Sequence, residues 1–181
     1  MKETDKDILE QIRKELKSEK PLKYQDNSND DHNGYISKNA WILDSCSSHM
    51  CESLNEIGMK PNKSLILEFP HIEEHLVSHF VRGYYDGNGS VYRNIKNPNN
   101  HHVTTTITST KMFCNSLAEI CTKKLDIYCP VYDASNHNGI TKVFTLSGRN
   151  KSKKFLDWIY QDADMYLERK YARYKEYYFL D

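Results

Sequence analysis

The sequence predicts an α+β protein with antiparallel strands, in which one arrangement of helices and strands is used twice. Apolar residues recur at helical spacing in several segments, and strand-like runs occur in pairs joined by turn residues. From Glu73 onward the predicted order is helix, two strands, helix, two strands, helix. The part before Glu73 gives helix, strand or strands, helix, as in the later portion of the same unit. We therefore expect residues 1–70 to form an N-terminal unit without its opening helix and hairpin, and residues 71–181 to form a complete unit.

The predicted helices show an apolar stripe at helical spacing or a capping signal at an end. They are Asp5–Lys17, Ser47–Ile57, Glu73–Asp86, Lys111–Lys124 and a C-terminal helix from Lys151 that breaks near Asp162–Asp164. The predicted strands are rich in aromatic and β-branched residues. They are Tyr35–Asp44, Ser90–Lys96, His102–Thr108, Ile127–Tyr132 and Ile140–Leu146.

The charge of the chain is balanced overall and uneven along its length. The 181 residues contain 25 Lys and Arg and 25 Asp and Glu, so the chain lacks the strongly basic total of many nucleic-acid binders. Residues 1–75 hold 10 basic and 15 acidic residues, whereas residues 76–181 hold 15 basic and 10 acidic residues. The second part could therefore attract a polyanion, and the first could not.

The composition also excludes several classes of protein. No run reaches the roughly 18 to 20 apolar residues of a membrane helix, and the first residues lack the apolar segment of a secretory signal. We therefore expect a soluble, cytoplasmic protein. The five cysteines form no CxxC pair, which argues against a zinc ribbon and against a complete disulfide framework.

The segment from Ser78 to Val91, SHFVRGYYDGNGSV, is the most informative part of the chain. A helix would place Phe80, Gly83 and Gly87 on one stripe, where the two glycines let a second helix approach closely. Asp86 and Asn88 would then lie at the C-terminal end of this helix, beside a hairpin. This pattern predicts helix packing on one face and polar chemistry at the helix end.

Residues 81–89, VRGYYDGNG, resemble the nine-residue motif of the LAGLIDADG homing endonucleases, with glycine at positions three and nine. Residues 62–70, 155–160 and 166–171 are similar to segments of phage and intron-encoded members. The resemblance covers nearly the whole chain, except that the first motif helix and hairpin of two-motif members have no counterpart. It implies tandem αββαββα units, motif helices packed at a central axis, and saddle-like sheets along the DNA major groove.

The resemblance also implies catalysis by Mg²⁺, which acidic groups at the motif helix ends hold between the scissile phosphates. The family's metal-binding carboxylate stands at position eight, where this chain has Asn88. An amide offers a neutral oxygen, so metal binding and hydrolysis should both weaken. Asp86, at position six, is the other candidate metal ligand and catalytic residue. Lys154 is the candidate for the lysine that the family often keeps near the scissile phosphate.

The candidate DNA contacts follow from strand alternation and from the resemblance together. Polar side chains on the expected outer face are Ser90, Tyr92, Asn94, Lys96, Thr104, Thr106 and Thr108. The basic candidates are Lys142, Arg149, Lys151 and Lys153. A solvated helix start is an equally simple interpretation of the lysines at 151–154.

Two metal-site patterns are weaker than the motif. Asp86, Asn88 and Ser90 have the spacing of a calcium loop, but the later glycine and glutamate that such a loop requires are missing. His71 and His75 fit an inverted zinc-protease pattern, but a solvated helix edge explains them more simply. The C-terminal tyrosines repeat at helical intervals, which favours packing over base stacking.

The sequence thus predicts a homing-endonuclease relative that binds double-stranded DNA and, if active, cleaves it with Mg²⁺. The alternative is a cleavage-dead, sequence-specific DNA-binding or regulatory protein, and an RNA maturase is a third, weaker alternative. Three explanations of the missing motif helix stay open: a start codon downstream of the ancestral one, a decayed copy, or a second copy or another chain that supplies the helix. In a homodimer the Gly83 and Gly87 faces would pair.

Overall fold

The computed structural model describes residues 1–27, 31–32, 35–36, 38–61, 63–93, 102–134 and 141–179. The chain divides into two compact units, residues 1–48 with 165–168 and residues 49–164 with 169–181. Both contain helices and antiparallel strands, which confirms the predicted α+β class. The repeat boundary between residues 70 and 71 stays a prediction.

Within the described residues the helices and strands follow the order expected from Glu73 onward. The helices are α1 (Lys6–Glu15), α2 (Ser48–Glu56), α3 (Val77–Asn88), α4 (Lys111–Leu125), α5 (Arg149–Tyr160) and α6 (Glu168–Phe179). The strands are β1 (Lys23–Gln25), β2 (Asp31–His32), β3 (Tyr35–Ile36), β4 (Ala40–Ile42), β5 (Gly89–Arg93), β6 (Val103–Thr110), β7 (Val131–Asp133) and β8 (Thr141–Ser147).

The first unit contains helix α1 and two two-stranded sheets, β1-β4 and β2-β3. Strands β1 and β4 pair antiparallel, and the rings of Tyr24 and Trp41 lie 5.0 Å apart across them. The strand predicted over Tyr35–Asp44 is divided into β3 and β4. The main-chain N–H of Asn27 donates to the Asn39 side chain at 2.9 Å, and the Asn27 amide donates to the Lys38 carbonyl at 2.8 Å. These hydrogen bonds engage Lys38 and Asn39, the residues between β3 and β4.

The second unit contains a four-stranded antiparallel sheet in the order β5-β6-β8-β7. Helices α3, α4 and α5 pack on one face of it. The fully buried side chains on that face of the sheet alternate along the strands, as antiparallel pairing requires. They are Val91, Val103, Ile107, Phe144 and Leu146. The opposite, outer face of the sheet therefore presents the alternate residues.

Helix α3 passes directly into strand β5, and Gly89 makes this junction possible. The Gly89 backbone is extended, with φ −97°, so its conformation does not require glycine. The lack of space requires glycine, because a Cβ at Gly89 would overlap Cδ2 of the Tyr85 ring and lie 2.8 Å from the Tyr85 carbonyl oxygen. The buried Tyr85 ring therefore fixes where the helix ends and the strand begins.

The segment between α4 and β7 differs from its prediction. A strand was expected over Ile127–Tyr132, but β7 begins only at Val131. The Ile127 carbonyl accepts hydrogen bonds from the Thr122 hydroxyl at 3.1 Å and from the Cys129 thiol at 3.4 Å. These hydrogen bonds occupy the Ile127 carbonyl, one of them from the end of α4, and strand pairing begins only at Val131.

The C-terminal part forms α5 and α6, and the predicted break near Asp162–Asp164 is confirmed. Four tyrosines of α6 pack at helical spacing, as expected. Tyr174 stacks on Tyr160 at 5.3 Å and lies 5.9 Å from Tyr178. No helix in the described residues is long and apolar enough to cross a membrane.

Candidate nucleic-acid interface

The end of α3 brings together the two polar motif residues in opposite environments. Asn88, the last residue of the helix, is exposed. Asp86 is buried, with 9% of its surface exposed, and the Tyr160 hydroxyl donates to its Oδ1 at 3.4 Å. Burial, together with the nearby Asp86 carboxylate, raises the pKa of Tyr160. Asp86 therefore faces α5 in the interior, and Asn88 faces the surface.

Arg82 lies one helical turn before Asp86 and is also buried. Its Nη1 donates to the Ile159 carbonyl, at the C-terminal end of α5, at 3.0 Å. A cation at that end of a helix interacts favourably with the free carbonyls and the helix dipole. Arg82 and Asp86 thus join α3 to α5.

Lys170 of α6 completes this helix end, and the sequence prediction missed it as a site residue. Its side chain is buried, with 6% of the residue exposed. Its Nζ donates to the Tyr85 carbonyl at 2.6 Å and to the Gly89 carbonyl. Its spacing in the sequence could have indicated burial. Lys170 precedes Tyr174 and Tyr178 at intervals of four residues, which places all three on the buried side of α6.

The residues at the α3 end do not fit a Mg²⁺ site made by this chain alone. Among the described residues there is no group of three or more His, Cys, Asp or Glu side chains that could hold a metal ion. Mg²⁺ requires oxygen ligands, usually with one or two carboxylates. Asn88 offers an uncharged amide, and the Asp86 carboxylate is turned inward.

The glycine face of α3 is open, as the motif predicted. A Cβ at Gly83 or at Gly87 would meet no described atom within 4 Å. Phe80 lies at the edge of this face and is half-buried. Its ring contacts the ring of Phe69 at 5.4 Å and that of Phe113 at 6.3 Å. The open part of the stripe is therefore the two glycines.

The outer face of the sheet carries most of the predicted strand contacts. Ser90, Tyr92 and Thr108 are exposed, and Thr106 is half-buried. The hydroxyls of Ser90 and Thr106 form a 2.9 Å hydrogen bond across β5 and β6. Asn94 and Lys96 lie outside the described residues.

Two of the predicted contact residues differ from expectation: Thr104 lies on the outer face but is buried, and Lys142 lies on the inner face. Thr104 is only 7% exposed, because β6 is an inner strand and Thr104 has Tyr92 and Ser147 as direct neighbours on both sides. Lys142 pairs with Ser109 and Asp133, so alternation puts it on the helix-packed face. There it forms an ion pair with Asp133.

The basic residues at the start of α5 make contacts with other residues of this protein. The Arg149 guanidinium lies 5.0 Å from the Tyr178 ring, and Lys153 pairs with Asp157 at 2.8 Å. Lys151 donates to the Tyr128 carbonyl at 3.2 Å. Lys154 donates to the Leu125 carbonyl at 3.4 Å, at the C-terminal end of α4. These contacts connect the start of α5 to the end of α4 and to α6.

Lys154 also points away from the α3 end. Six residues separate it from Tyr160, which corresponds to about 120° around α5. Tyr160 contacts Asp86, whereas Lys154 contacts the end of α4. The described contacts therefore do not bring Lys154 together with Asp86 and Asn88.

Comparison with known proteins gives a likeness in structure. No family model matches the chain, and no curated protein matches it. The chain is similar to the archaeal intron-encoded homing endonuclease I-Vdi141I complexed with DNA, at 18% sequence identity and a TM-score of 0.45, over 57% of this chain and 67% of that chain. It is similar to the LAGLIDADG homing endonuclease I-GzeII in complex with its DNA target, at 11% identity and a TM-score of 0.44, over 96% of this chain and 57% of that chain.

A third similar structure is I-TnaI, at 17% identity and a TM-score of 0.37, over 55% of this chain and 67% of that chain. All three are homing endonucleases. This chain spans 57% of the length of the homing endonuclease I-GzeII.

Proposed function

We propose that this protein is a relative of the LAGLIDADG homing endonucleases and binds double-stranded DNA with the outer face of its four-stranded sheet. The observation that supports this most is the chemistry of that face. Its accessible residues in the described strands are uncharged, and most of them carry a hydroxyl group. They are Ser90, Tyr92, Thr106, Thr108, Tyr132, Thr141, Val143, Thr145 and Ser147.

Hydroxyl groups suit base recognition because each one can both donate and accept a hydrogen bond. The major groove admits a pair of β-strands and presents donors, acceptors and the thymine methyl group. Threonine offers a hydroxyl and a methyl group from one short, stiff side chain. The face could therefore read base edges, while cations near its rim contact phosphates.

Two candidate activities follow from this binding. The first is Mg²⁺-dependent cleavage of phosphodiester bonds, as the family resemblance implies. The second is sequence-specific binding without cleavage, in a regulatory role. The structure of the α3 end favours the second, since Asn88 carries no charge and Asp86 is buried against Tyr160.

A second copy of the chain is the partner that best suits the open glycine face. A twofold axis along α3 would place Gly83 and Gly87 of one copy against the same residues of the other. Glycines allow two helix backbones to approach closely. Both Asn88 side chains would then lie near the axis, next to the two outer sheet faces.

The binding experiment selects duplexes from a random pool and then measures affinity for them at several salt concentrations. Replacing both Thr106 and Thr108 by Val removes two hydroxyls and keeps the shape, so we expect affinity to fall at least about tenfold. The matched control is Thr105→Val on the opposite face of β6, where the buried Thr105 hydroxyl has no hydrogen-bond partner among the described residues. We expect the control to bind normally.

Equal affinity of the Thr106/Thr108 variant and the wild type would contradict the assignment of this face. Binding without salt dependence would contradict DNA binding altogether, because phosphate contacts release counterions. The selected duplexes are then incubated with Mg²⁺ and the wild type or Asn88→Asp. Cleavage by the wild type would favour the first activity, and binding without cleavage would favour the second.

A further inference from the structure

Two buried thiols, those of Cys121 and Cys129, lie together in the second unit. Cys121 belongs to α4 and is fully buried, and Cys129 follows the end of that helix and is 4% exposed. A hydrogen bond joins the two side chains, and neither cysteine is in a disulfide. The sulfurs of a disulfide lie about 2.05 Å apart, so two hydrogen-bonded thiols need only a short further approach to form one.

The reversal of the chain after α4 holds Cys129 against the helix that carries Cys121. It begins at Asp126, whose backbone is left-handed with φ 50°. The Ile127 carbonyl then accepts from the Thr122 hydroxyl at 3.1 Å and from the Cys129 thiol at 3.4 Å. Because Thr122 directly follows Cys121, this shared oxygen keeps the Cys129 sulfur beside the last turn of α4.

A surface groove of about 550 Å³ gives access to one of the two thiols. Residues 128–131 form one wall, and Ala118 and Thr122 of α4 belong to the other. Tyr128, in the first wall, is 73% exposed. Cys129 lines this groove, whereas Cys121 has no exposed surface. A small oxidant can therefore reach Cys129 first.

The surroundings of the two thiols divide their chemical roles. The Cys121 hydrogen bond and the charge of Lys151 lower the pKa of the Cys129 thiol, while burial opposes them. Lys151 is held there by a 3.2 Å hydrogen bond to the Tyr128 carbonyl, directly before Cys129. The shared hydrogen bond and burial raise the pKa of the Cys121 thiol. Because the thiolate is the nucleophile, Cys129 is suited to attack and Cys121 stays protonated.

We propose that Cys121 and Cys129 are a peroxide-sensitive pair, in which Cys129 attacks a hydroperoxide and Cys121 then closes a disulfide between α4 and the segment that leads into β7. The proposal goes beyond DNA binding, since it concerns the free protein.

The reaction proceeds in two steps that consume one hydrogen peroxide. The Cys129 thiolate forms an S–O bond with one peroxide oxygen, the O–O bond breaks, and the other oxygen leaves as hydroxide. This hydroxide takes up the proton that the Cys129 thiol released and becomes water. The Cys121 sulfur then attacks the sulfenic sulfur of Cys129, the S–O bond breaks, and the hydroxyl leaves with the Cys121 proton as a second water. Both sulfurs are oxidised as the peroxide is reduced.

The test treats the full, reduced chain with hydrogen peroxide without DNA, blocks the remaining thiols with iodoacetamide, and maps tryptic peptides by mass. Cleavage after Lys123 and Lys124 separates the two cysteines, so the disulfide joins two peptides that reduction releases. We expect the disulfide to form at least about tenfold faster in the folded chain than in the urea-unfolded chain. The matched control is Cys114→Ser, a buried cysteine of the same helix, which should leave this rate unchanged.

Three variants test the roles of the residues. In Cys121→Ser the sulfenic acid of Cys129 has no resolving thiol, so dimedone should label Cys129 at least about tenfold more than in the wild type. Dimedone should not label Cys121 in Cys129→Ser. Lys151→Gln should slow disulfide formation at least about threefold, because a cation near the thiolate is lost. Lys111→Gln should not slow it, since the exposed Lys111 lies about 15 Å from Cys121 along α4.

A rate no higher in the folded chain than in the unfolded chain would overturn the proposal, because proximity in sequence would then explain the disulfide. Oxidation of the exposed Cys46 and Cys51 without a disulfide between Cys121 and Cys129 would also overturn it. If a serine variant does not fold, the folded and unfolded wild type decide alone. No DNA is present, so a failure of DNA binding is detected separately.

Discussion

At the scale of single residues, the motif divides into positions that serve the fold and positions that face outward. Gly89 and Asp86 belong to the first group, because Tyr85 leaves no room for a Cβ and Tyr160 covers the carboxylate. Gly83, Gly87 and Asn88 belong to the second group. The same nine residues therefore combine packing constraints with an open surface.

We predict that Gly89→Ala lowers the free energy of unfolding by about 1 to 3 kcal/mol, because the added methyl group overlaps the Tyr85 ring. Gly87→Ala is the matched control, since its Cβ meets no described atom within 4 Å. We expect the control to stabilise the helix by about 0.5 to 1 kcal/mol. Urea unfolding of both variants measures the difference, and equal effects would contradict the packing argument.

At the scale of elements, α6 contributes tyrosines and a lysine to the interior of its unit. Tyr174 donates to Asp157 at 2.7 Å, and Asp157 in turn pairs with Lys153. The rings of Tyr178 and Phe179 lie beside Arg149 and Lys153. The cations that open α5 therefore stabilise the contact between α5 and α6, in addition to any role toward DNA.

We predict that the protein loses stability as the pH rises above about 10. Burial raises the pKa of Tyr178 to about 12, and burial with the Asp157 hydrogen bond raises the pKa of Tyr174. The unfolded chain releases these protons near pH 10, while the folded chain retains them. The folded state thus binds more protons, and its stability is lost as the pH rises through this window.

Urea unfolding between pH 8 and pH 11, followed by circular dichroism, measures this loss. Tyr178→Phe should make the decline with pH shallower, because one buried ionisable hydroxyl is removed. Tyr132→Phe is the control, since Tyr132 is exposed on β7. A decline that Tyr178→Phe leaves unchanged would show that other groups cause it.

At the scale of the whole molecule, the open face of α3 predicts self-association. We expect sedimentation to show two 21.3 kDa chains on each bound duplex. Gly83→Glu should give one chain per complex and weaken binding, because a charged side chain enters the paired face. The free variant should fold normally, since no described atom would lie within 4 Å of a Cβ at Gly83. A single wild-type chain per duplex would contradict the dimer.

The sequence alone predicted most elements of residues 73–179, including the α3 helix, the hairpin partners β5 and β6, and the break before α6. Helices and strands follow from local periodicity and turn residues, which a single sequence displays. It did not predict the division of Tyr35–Asp44 into β3 and β4, where Asn27 bonds to Asn39 from 12 positions away. It also placed a strand at Ile127, where the Thr122 hydroxyl, five residues earlier, donates to the Ile127 carbonyl. Strand propensity does not register either hydrogen bond.

The sequence by itself determined the motif, its glycines and the neutral Asn88. Only the tertiary structure decided that Asp86 is buried, that Lys142 faces the helices, and that Lys170 reaches the end of α3. The contact between Lys170 and Tyr85 joins residues 85 positions apart. Which charge is buried depends on such distant neighbours, because desolvation is a property of the packed environment and not of the residue.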